Sequence, residues 1–357
     1  MKKKVAVILL NLGGPDSKAA IQPFLFNFFT DKNIIRLPYV LRVILAFIIS
    51  RKRSKKEAGE SYGALENRSP LLENSMRQAH ALEETLDKAG LAVSFKTFLC
   101  MRYWHPMSGE TAQQVQDWKP DQVIVVPLYP QFSTTTTWSS FMQLKKAFQK
   151  NRFEKPFSMV CCYPENTGFV TASAAQIFIQ YEQALKDGHQ KPRILFSAHG
   201  LPEKIIQDGD PYQYQCEQTR KAVLGCLEKK FHLEHPDWEA CYQSRVGPMK
   251  WIGPSLREAL EKAAFDQKAV IVFPHAFTQE HVETLVELDM EYRHIAHTLG
   301  ITGYYRAQTV GTHPDFIEGL ATMVLKQLDQ VGVAGEHRTR NCPASFSQCC
   351  MQKTSAV

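Results

Sequence analysis

The stretch Ile194-Leu-Phe-Ser-Ala-His199-Gly-Leu-Pro202 runs from apolar and small residues into a histidine and then a Gly/Pro turn. It has a counterpart near the N-terminus, Val7-Ile-Leu-Leu-Asn-Leu-Gly-Gly-Pro15. A second pair, Val123-Ile-Val-Val-Pro-Leu128 and Val270-Ile-Val-Phe-Pro-His275, carries a proline at the carboxyl end of each run. A strand covered on both faces has no solvent side to alternate with, so it reads as a continuous apolar run, as strands of parallel sheets do. These pairs predict two similar halves. Further runs at 93–99 and 303–308 complete six expected strands, with 5–10, 122–128, 193–198 and 269–274, each followed by helix-length sequence; that alternation is the α/β signature. Ligands of open α/β sheets bind at the carboxyl ends of strands. The turns of both halves are therefore expected to face one cleft.

The rest of the composition agrees with a folded chain of about two domains: 357 residues, 44% hydrophobic and 22% charged. A net charge of +6 is too mild and too dispersed to predict nucleic-acid binding. The basic start Lys2-Lys3-Lys4 leads directly into a strand with no cleavage-type sequence, so no secretory signal is expected and the cytoplasm is the expected compartment. There the nine cysteines are expected to be reduced. Gly13-Gly14-Pro15 fits neither a Walker A loop nor G-x-G-x-x-G, so no nucleotide cofactor is expected.

Residues 34–49 are the most apolar stretch, and Arg51, Lys52, Arg53, Lys55 and Lys56 follow directly. Interrupted by Arg36, Pro38 and Arg42, the stretch falls short of the ~20 apolar residues that a bilayer span needs. An apolar helix abutting a basic cluster suits a membrane surface or an apolar ligand with acidic ends; a core helix with a solvated basic end is the structural alternative.

Two constellations bear on chemistry. His199 stands at the ligand-binding end of a strand, where a neutral-pH base or metal ligand is useful. Glu283, Glu287 and Glu291 recur at every fourth position, so a helix would stack three carboxylates on one face. Such a row is unfavourable without a cation against it. Hard oxygen ligands of this kind suit a divalent ion in transit toward His199, with Glu283 deepest.

In their order along residues 5–330, several motifs make the chain resemble the ferrochelatases, which insert ferrous iron into protoporphyrin IX. They are Leu10-Asn-Leu-Gly-Gly-Pro15, Arg102-Tyr103 before His105-Pro106, Leu128-Tyr-Pro-Gln-Phe-Ser133, Phe196-Ser-Ala-His-Gly-Leu-Pro202, Asp208-Gly-Asp-Pro-Tyr212, Gln243-Ser-Arg-Val-Gly-Pro-Met-Lys-Trp251 and the 277–292 segment. The resemblance implies two similar Rossmann-like, chelatase-type domains, each a parallel four-stranded sheet flanked by helices. The boundaries expected are 1–165 with an apolar porphyrin lip at 34–56, 166–330 with the histidine and acidic helix, and a cysteine-bearing tail at 331–357. It implies His199 and Glu283 as catalytic residues, metal contacts from these two with Glu287 and Glu291, and substrate contacts from Leu12, Arg102, Tyr103 and Trp251. Arg36 or the 51–56 cluster is the expected partner of the porphyrin carboxylates. Protoporphyrin IX and ferrous iron are the expected substrates, and the lip is expected to touch a membrane surface.

Leu12 bears on the substrate, since relatives that metallate coproporphyrin III tend to carry tyrosine there; leucine and the apolar lip favour protoporphyrin. A two-lobed metal- or tetrapyrrole-binding protein without turnover is a rival of another class, but leaves a basic histidine beside an acidic helix unexplained. Finally, Cys342, Cys349 and Cys350 resemble the C-terminal ligands of the [2Fe-2S] cluster that some ferrochelatases hold. Thr134 occupies the internal ligand position of the animal enzymes, so Cys161 or Cys162 is the expected fourth thiolate.

Overall fold

Residues 2–59, 62–245 and 249–354 are described by the computed structural model; positions 246–248 of the quoted 243–251 motif and the last three residues of the tail lie outside them. The chain divides into two units. Met1–Cys162, Leu320–Asn341 and Cys350–Val357 make up the first, and Tyr163–Gly319 with Cys342–Cys349 the second.

The first unit holds a parallel sheet of β1 (Lys3–Asn11), β2 (Val93–Met101), β3 (Gln122–Pro127), β4 (Phe157–Val160) and, far along the chain, β9 (Gly332–Ala334). Its order is β2-β1-β3-β4-β9. The second unit holds β5 (Arg193–His199), β6 (Trp238–Gln243), β7 (Val270–Pro274) and β8 (Tyr304–Arg306) in the order β6-β5-β7-β8, again all parallel. The first four strands of each unit thus follow one winding scheme. In it β1 corresponds to β5 and β3 to β7, the two pairs whose sequences resemble each other.

These central strands are apolar through their middles because helices cover both faces. In β7 the alternate residues Ile271 and Phe273 pack with Val170, Ala174, Val223 and Leu227 on one side. Val270 and Val272 pack with Leu256, Ala259, Leu260 and Ala263 on the other. Each such side chain contributes roughly 1.5–3 kcal/mol when fully buried, and a one-residue slip would exchange the two faces.

Three departures from expectation have physical causes. The first sheet has five strands, not four, because Gly332–Ala334, read as tail, pairs with β4. A three-residue edge strand carries no periodicity to read. The expected strand at 303–308 shortens to Tyr304–Arg306 at the edge of its sheet, and β6, polar and half-exposed in its first half, has no apolar run at all. The helix expected within 34–49 begins at Tyr39, after Pro38, and extends to Gly59, so apolar and basic segments share one helix. Leu37, Tyr39, Val40, Leu41, Ile44, Phe47 and Ile48 are all exposed. Among the described residues, no helix is long and apolar enough to cross a membrane.

Candidate active site

β5 delivers His199 to the carboxyl edge of the second sheet, where the chain turns at Gly200. A Cβ on Gly200 would lie 3.0 Å from the Gln243 carbonyl oxygen and 3.3 Å from the Trp251 ring, so only glycine passes without displacing either. His199 Nδ1 lies 2.8 Å from Glu283 Oε2. A carboxylate can only accept, so Nδ1 carries the proton and Nε2 is left as the basic nitrogen of the neutral ring.

The neighbouring strand fixes the carboxylates. Ser197 Oγ donates to Gln243 Oε1 at 2.8 Å, which turns the Gln243 amide so that Nε2 donates to Glu287 Oε2 at 3.3 Å. Ser244, next along, has φ of 62°, a left-handed conformation unusual for a residue with a side chain. That conformation directs its backbone N–H to Glu287 Oε1 at 2.8 Å. Its hydroxyl lies 2.5 Å from Glu287 Oε2 and 3.3 Å from Glu283 Oε2.

Residues Glu283–Tyr292 form a π-helix rather than the α-helix that spacing alone implies. In an α-helix of 3.6 residues per turn, every fourth residue drifts about 40° around the axis. A π-helix, with hydrogen bonds closing over five residues, has wider turns and less drift at that spacing. Along this helix Glu283 and Glu287 are half-buried and Glu291 is exposed. Thr284 closes the entrance, its hydroxyl accepting from His281 N and donating to His281 O.

Electrostatics separates these groups. Burial resists charging of His199, but the adjacent Glu283 carboxylate, joined by Glu287, outweighs it and raises the imidazole's proton affinity. Burial would likewise raise Glu283; the His199 charge and hydrogen bond overcome it and hold the carboxyl at about 2. At Glu287 burial and the Glu283 charge outweigh the Ser244 hydrogen bonds and the His199 charge, and push the carboxyl up to about 7. His281, buried beside them, is pulled below the ordinary range.

The remaining expected residues lie elsewhere. Trp251 is half-buried against the Gly200 turn and bridges to Pro202 in the same unit. Leu12, Arg102 and Tyr103 gather in the first unit. Leu12 is half-buried just after β1, at the position that matches His199 at the end of β5, and its carbonyl accepts from Tyr103 N. Arg102 Nη2 and the Tyr103 hydroxyl both donate to Asp31 Oδ2, at 2.9 and 2.8 Å, and Ser139 donates to the same oxygen. Burial opposes ionisation of Asp31, yet Arg102 and these hydrogen bonds hold its carboxyl below the usual range. Arg102, Asp31, His105 and Glu110 line a cavity of about 600 Å³ in that unit, whereas Tyr103 is completely buried. Arg36 is exposed ahead of the helix Tyr39–Gly59. Sequence reasoning passed over Gln243, Ser244, His281 and Asp31. The quoted Gln243-Ser pair was the available signal for two of them, and nothing marked Asp31.

The cysteines expected as cluster ligands are buried thiols. Cys161, Cys162 and Cys350 pack with Phe132 in one apolar cluster of the first unit. Cys342 and Cys349 belong to the second, where Gln215 Nε2 donates to Cys342 Sγ at 3.0 Å. Among the described residues no group of three or more His, Cys, Asp or Glu side chains is arranged to hold a metal ion.

Comparison with known proteins gives a consistent result. A family model described as Ferrochelatase matches residues 4–328. The chain is similar to a ferrochelatase of Caulobacter vibrioides, 45% identical over 358 residues and covering all of both chains. It is also similar to one of Rickettsia bellii, 44% identical with 98% of this chain and 95% of the relative covered, and to one of Phenylobacterium zucineum, 44% identical with 97% of each covered. Among solved structures, SirB from Bacillus subtilis with Fe3+ shares the fold with a TM-score of 0.50 at 12% identity, over 91% of this chain and 95% of that one.

The raised Glu287 carboxyl gives a pH signature. Its folded value of about 7 exceeds its ordinary 4.5, so its contribution to stability is complete below 4.5 and is lost as pH rises through 7. Glu287→Gln, which cannot ionise, is expected to raise the apparent unfolding midpoint of the metal-free protein relative to wild type at pH 8, with the gap closing by pH 5. Parallel midpoint curves across that range would contradict the assignment.

Proposed function

The chain belongs to the ferrochelatase family, and on that premise we propose that it inserts Fe2+ into protoporphyrin IX, yielding haem b with release of two protons. It is a metal-chelating lyase of haem biosynthesis. The observation that carries the proposed chemistry is the contact between His199 Nδ1 and Glu283, which leaves Nε2 as a base.

Free-base porphyrin must lose two inner N–H protons as the metal enters. His199 Nε2 takes a proton, and the imidazolium formed is stabilised by the Glu283 carboxylate 2.8 Å away. Ionised Glu287, with a proton affinity near neutrality, relieves the imidazolium of the first proton and passes it outward toward Glu291, so that His199 takes the second in its turn. The same carboxylates offer oxygen ligands to the entering cation, which is substrate and not a resident group. Leu12 and the apolar residues around 39–48 support protoporphyrin over coproporphyrin III, whose additional carboxylates need polar partners.

The helix Tyr39–Gly59 supports a peripheral, cytoplasmic-side membrane contact. Its exposed apolar residues would sit among acyl chains and Arg51, Lys52, Lys55 and Lys56 would meet anionic headgroups. A [2Fe-2S] cluster on Cys342, Cys349, Cys350 and Cys161 is supported only by the shared packing of Cys161 with Cys350. It takes no part in the reaction, because metal insertion is redox-neutral.

Three outcomes test these readings. His199→Ala is expected to lower protoporphyrin metallation by ~10²-fold or more while porphyrin binding survives, followed anaerobically by the porphyrin spectrum. Glu283→Gln should behave alike, and the wild type should prefer protoporphyrin IX to coproporphyrin III in kcat/KM. Retention of more than about a tenth of the rate in His199→Ala would remove the histidine from the mechanism. For the membrane contact, co-sedimentation with anionic liposomes should weaken in Leu41→Ser/Ile48→Ser and at high salt; no binding by the wild type would refute it. For the cluster, anaerobically purified protein should be reddish with about two non-haem irons per chain, and a colourless, active, iron-free protein would exclude it.

A further inference from the structure

Ten consecutive residues in a π-helix are far more than the single turn in which this conformation is ordinarily found. Its widened turns are less favourable than α-helical ones, so contacts from outside must hold it. On one side those contacts come from β5 and β6: His199 to Glu283, and Gln243 and Ser244 to Glu287. On the other they come from β8. Arg306, its side chain only 7% exposed, places Nη1 2.8 Å from Glu280 Oε1 and Nε 2.8 Å from Asp289 Oδ2. Tyr304 donates its hydroxyl to the Leu288 carbonyl at 2.7 Å, and Arg293 returns a hydrogen bond from Nη1 to the Tyr304 carbonyl at 2.9 Å. Thr309 N also donates to Glu280 Oε1 at 2.8 Å.

The spacing of the two carboxylates on Arg306 is informative. Glu280 precedes the helix and Asp289 lies well inside it, so one rigid guanidinium ties the entrance of the helix to a later turn. The same residues wound as an α-helix would form a narrower and longer coil at 1.5 Å per residue. Glu280 and Asp289 would then move apart along the axis, and Glu287 would rotate away from Ser244. We propose that Arg306 is a positioning residue: by bridging Glu280 and Asp289 it holds residues 283–292 in the π conformation that sets Glu283 and Glu287 against His199 and Ser244. The inference rests on the proposed role of those glutamates as the path of metal and protons, and adds the part of the fold that keeps the path in register. Lysine would replace the bridge only in part, because a single ammonium point charge lacks the two-armed fork of guanidinium.

The test uses the full chain with Zn2+ as the probe metal and hydrogen exchange of residues 280–292 as an independent readout. Arg306→Gln is expected to raise the KM for Zn2+ about tenfold with the KM for porphyrin little changed. It should also speed amide exchange across 283–292 while protection in β5 and β7 persists. Arg306→Lys should recover part of both effects. Asp289→Asn, which releases one arm only, covers the case in which Arg306→Gln does not fold, and should shift both readouts in the same direction. Combined with Glu287→Gln, either variant should raise the Zn2+ KM by less than the product of the single effects, because part of each effect runs through the same Glu287 contact. Unchanged exchange in Arg306→Gln and Asp289→Asn, or fully additive KM effects, would overturn the proposal. A Glu287→Gln protein with wild-type Zn2+ KM would instead defeat the metal-path reading, and the exchange data alone would then decide the role of Arg306.

Discussion

The bond from His199 to Glu283 joins residues 84 positions apart, and much of the second unit serves to hold it. The histidine is fixed by the end of a strand buried on both faces, the glutamate by a helix that begins after the next strand of the sheet. Neither end has slack. Gly200 lets the chain turn beneath the Trp251 ring, and Gln243, oriented by Ser197, shares its amide with the acidic helix. A displacement of either element by about 1 Å would break the contact, since charge-assisted hydrogen bonds of this length tolerate little misalignment.

The repeat between the two units shows how one scaffold was put to different uses. In both, the third strand of the winding scheme leads through a proline turn into a π-helix, Thr134–Trp138 in the first and Glu283–Tyr292 in the second. The first carries a run of threonines, capped by Ser133, and is followed by Ser139, which bonds the buried Asp31. The second carries carboxylates. Likewise the carboxyl end of the first strand presents Leu12 in one unit and His199 in the other. Identical topology therefore supplies an apolar side chain in one case and a base in the other. The difference resides in a few side chains at strand ends, where an α/β sheet tolerates variation because its core packing lies below.

Legibility in the sequence followed burial. The runs in β1, β3, β5 and β7 are readable because the middles of central parallel strands are buried on both faces and are filled by apolar residues. Strands β8 and β9 have three residues each, and β6 is polar and half-exposed in its first half, so their composition resembles loops. His199 and the Glu283, Glu287, Glu291 row stand out because their chemistry is unusual for their positions. The π winding is hidden, since an acidic residue at every fourth position fits an α-helix equally well. Ser244 is hidden for a related reason: its importance lies in a left-handed backbone that no residue type other than glycine or asparagine announces. Asp31 becomes recognisable only once tertiary structure brings Arg102, Tyr103 and Ser139 around it.

The order of proton affinities in the acidic row also follows from this geometry. Three carboxylates stacked on one helix face would repel one another if all were ionised. Glu283 is hydrogen-bonded to the His199 imidazole, so it keeps its charge and shifts the cost to its neighbour. Glu287, surrounded by donors that are neutral, answers by retaining its proton to about pH 7. In the proposed reaction this division is useful. A divalent cation arriving along the row displaces the Glu287 proton and restores the ligand charge when it is needed, whereas an empty site carries less buried negative charge. The helix can then keep an acidic row in its interior without a permanent counter-ion, at the expense of making cation binding at Glu287 compete with protons near neutrality.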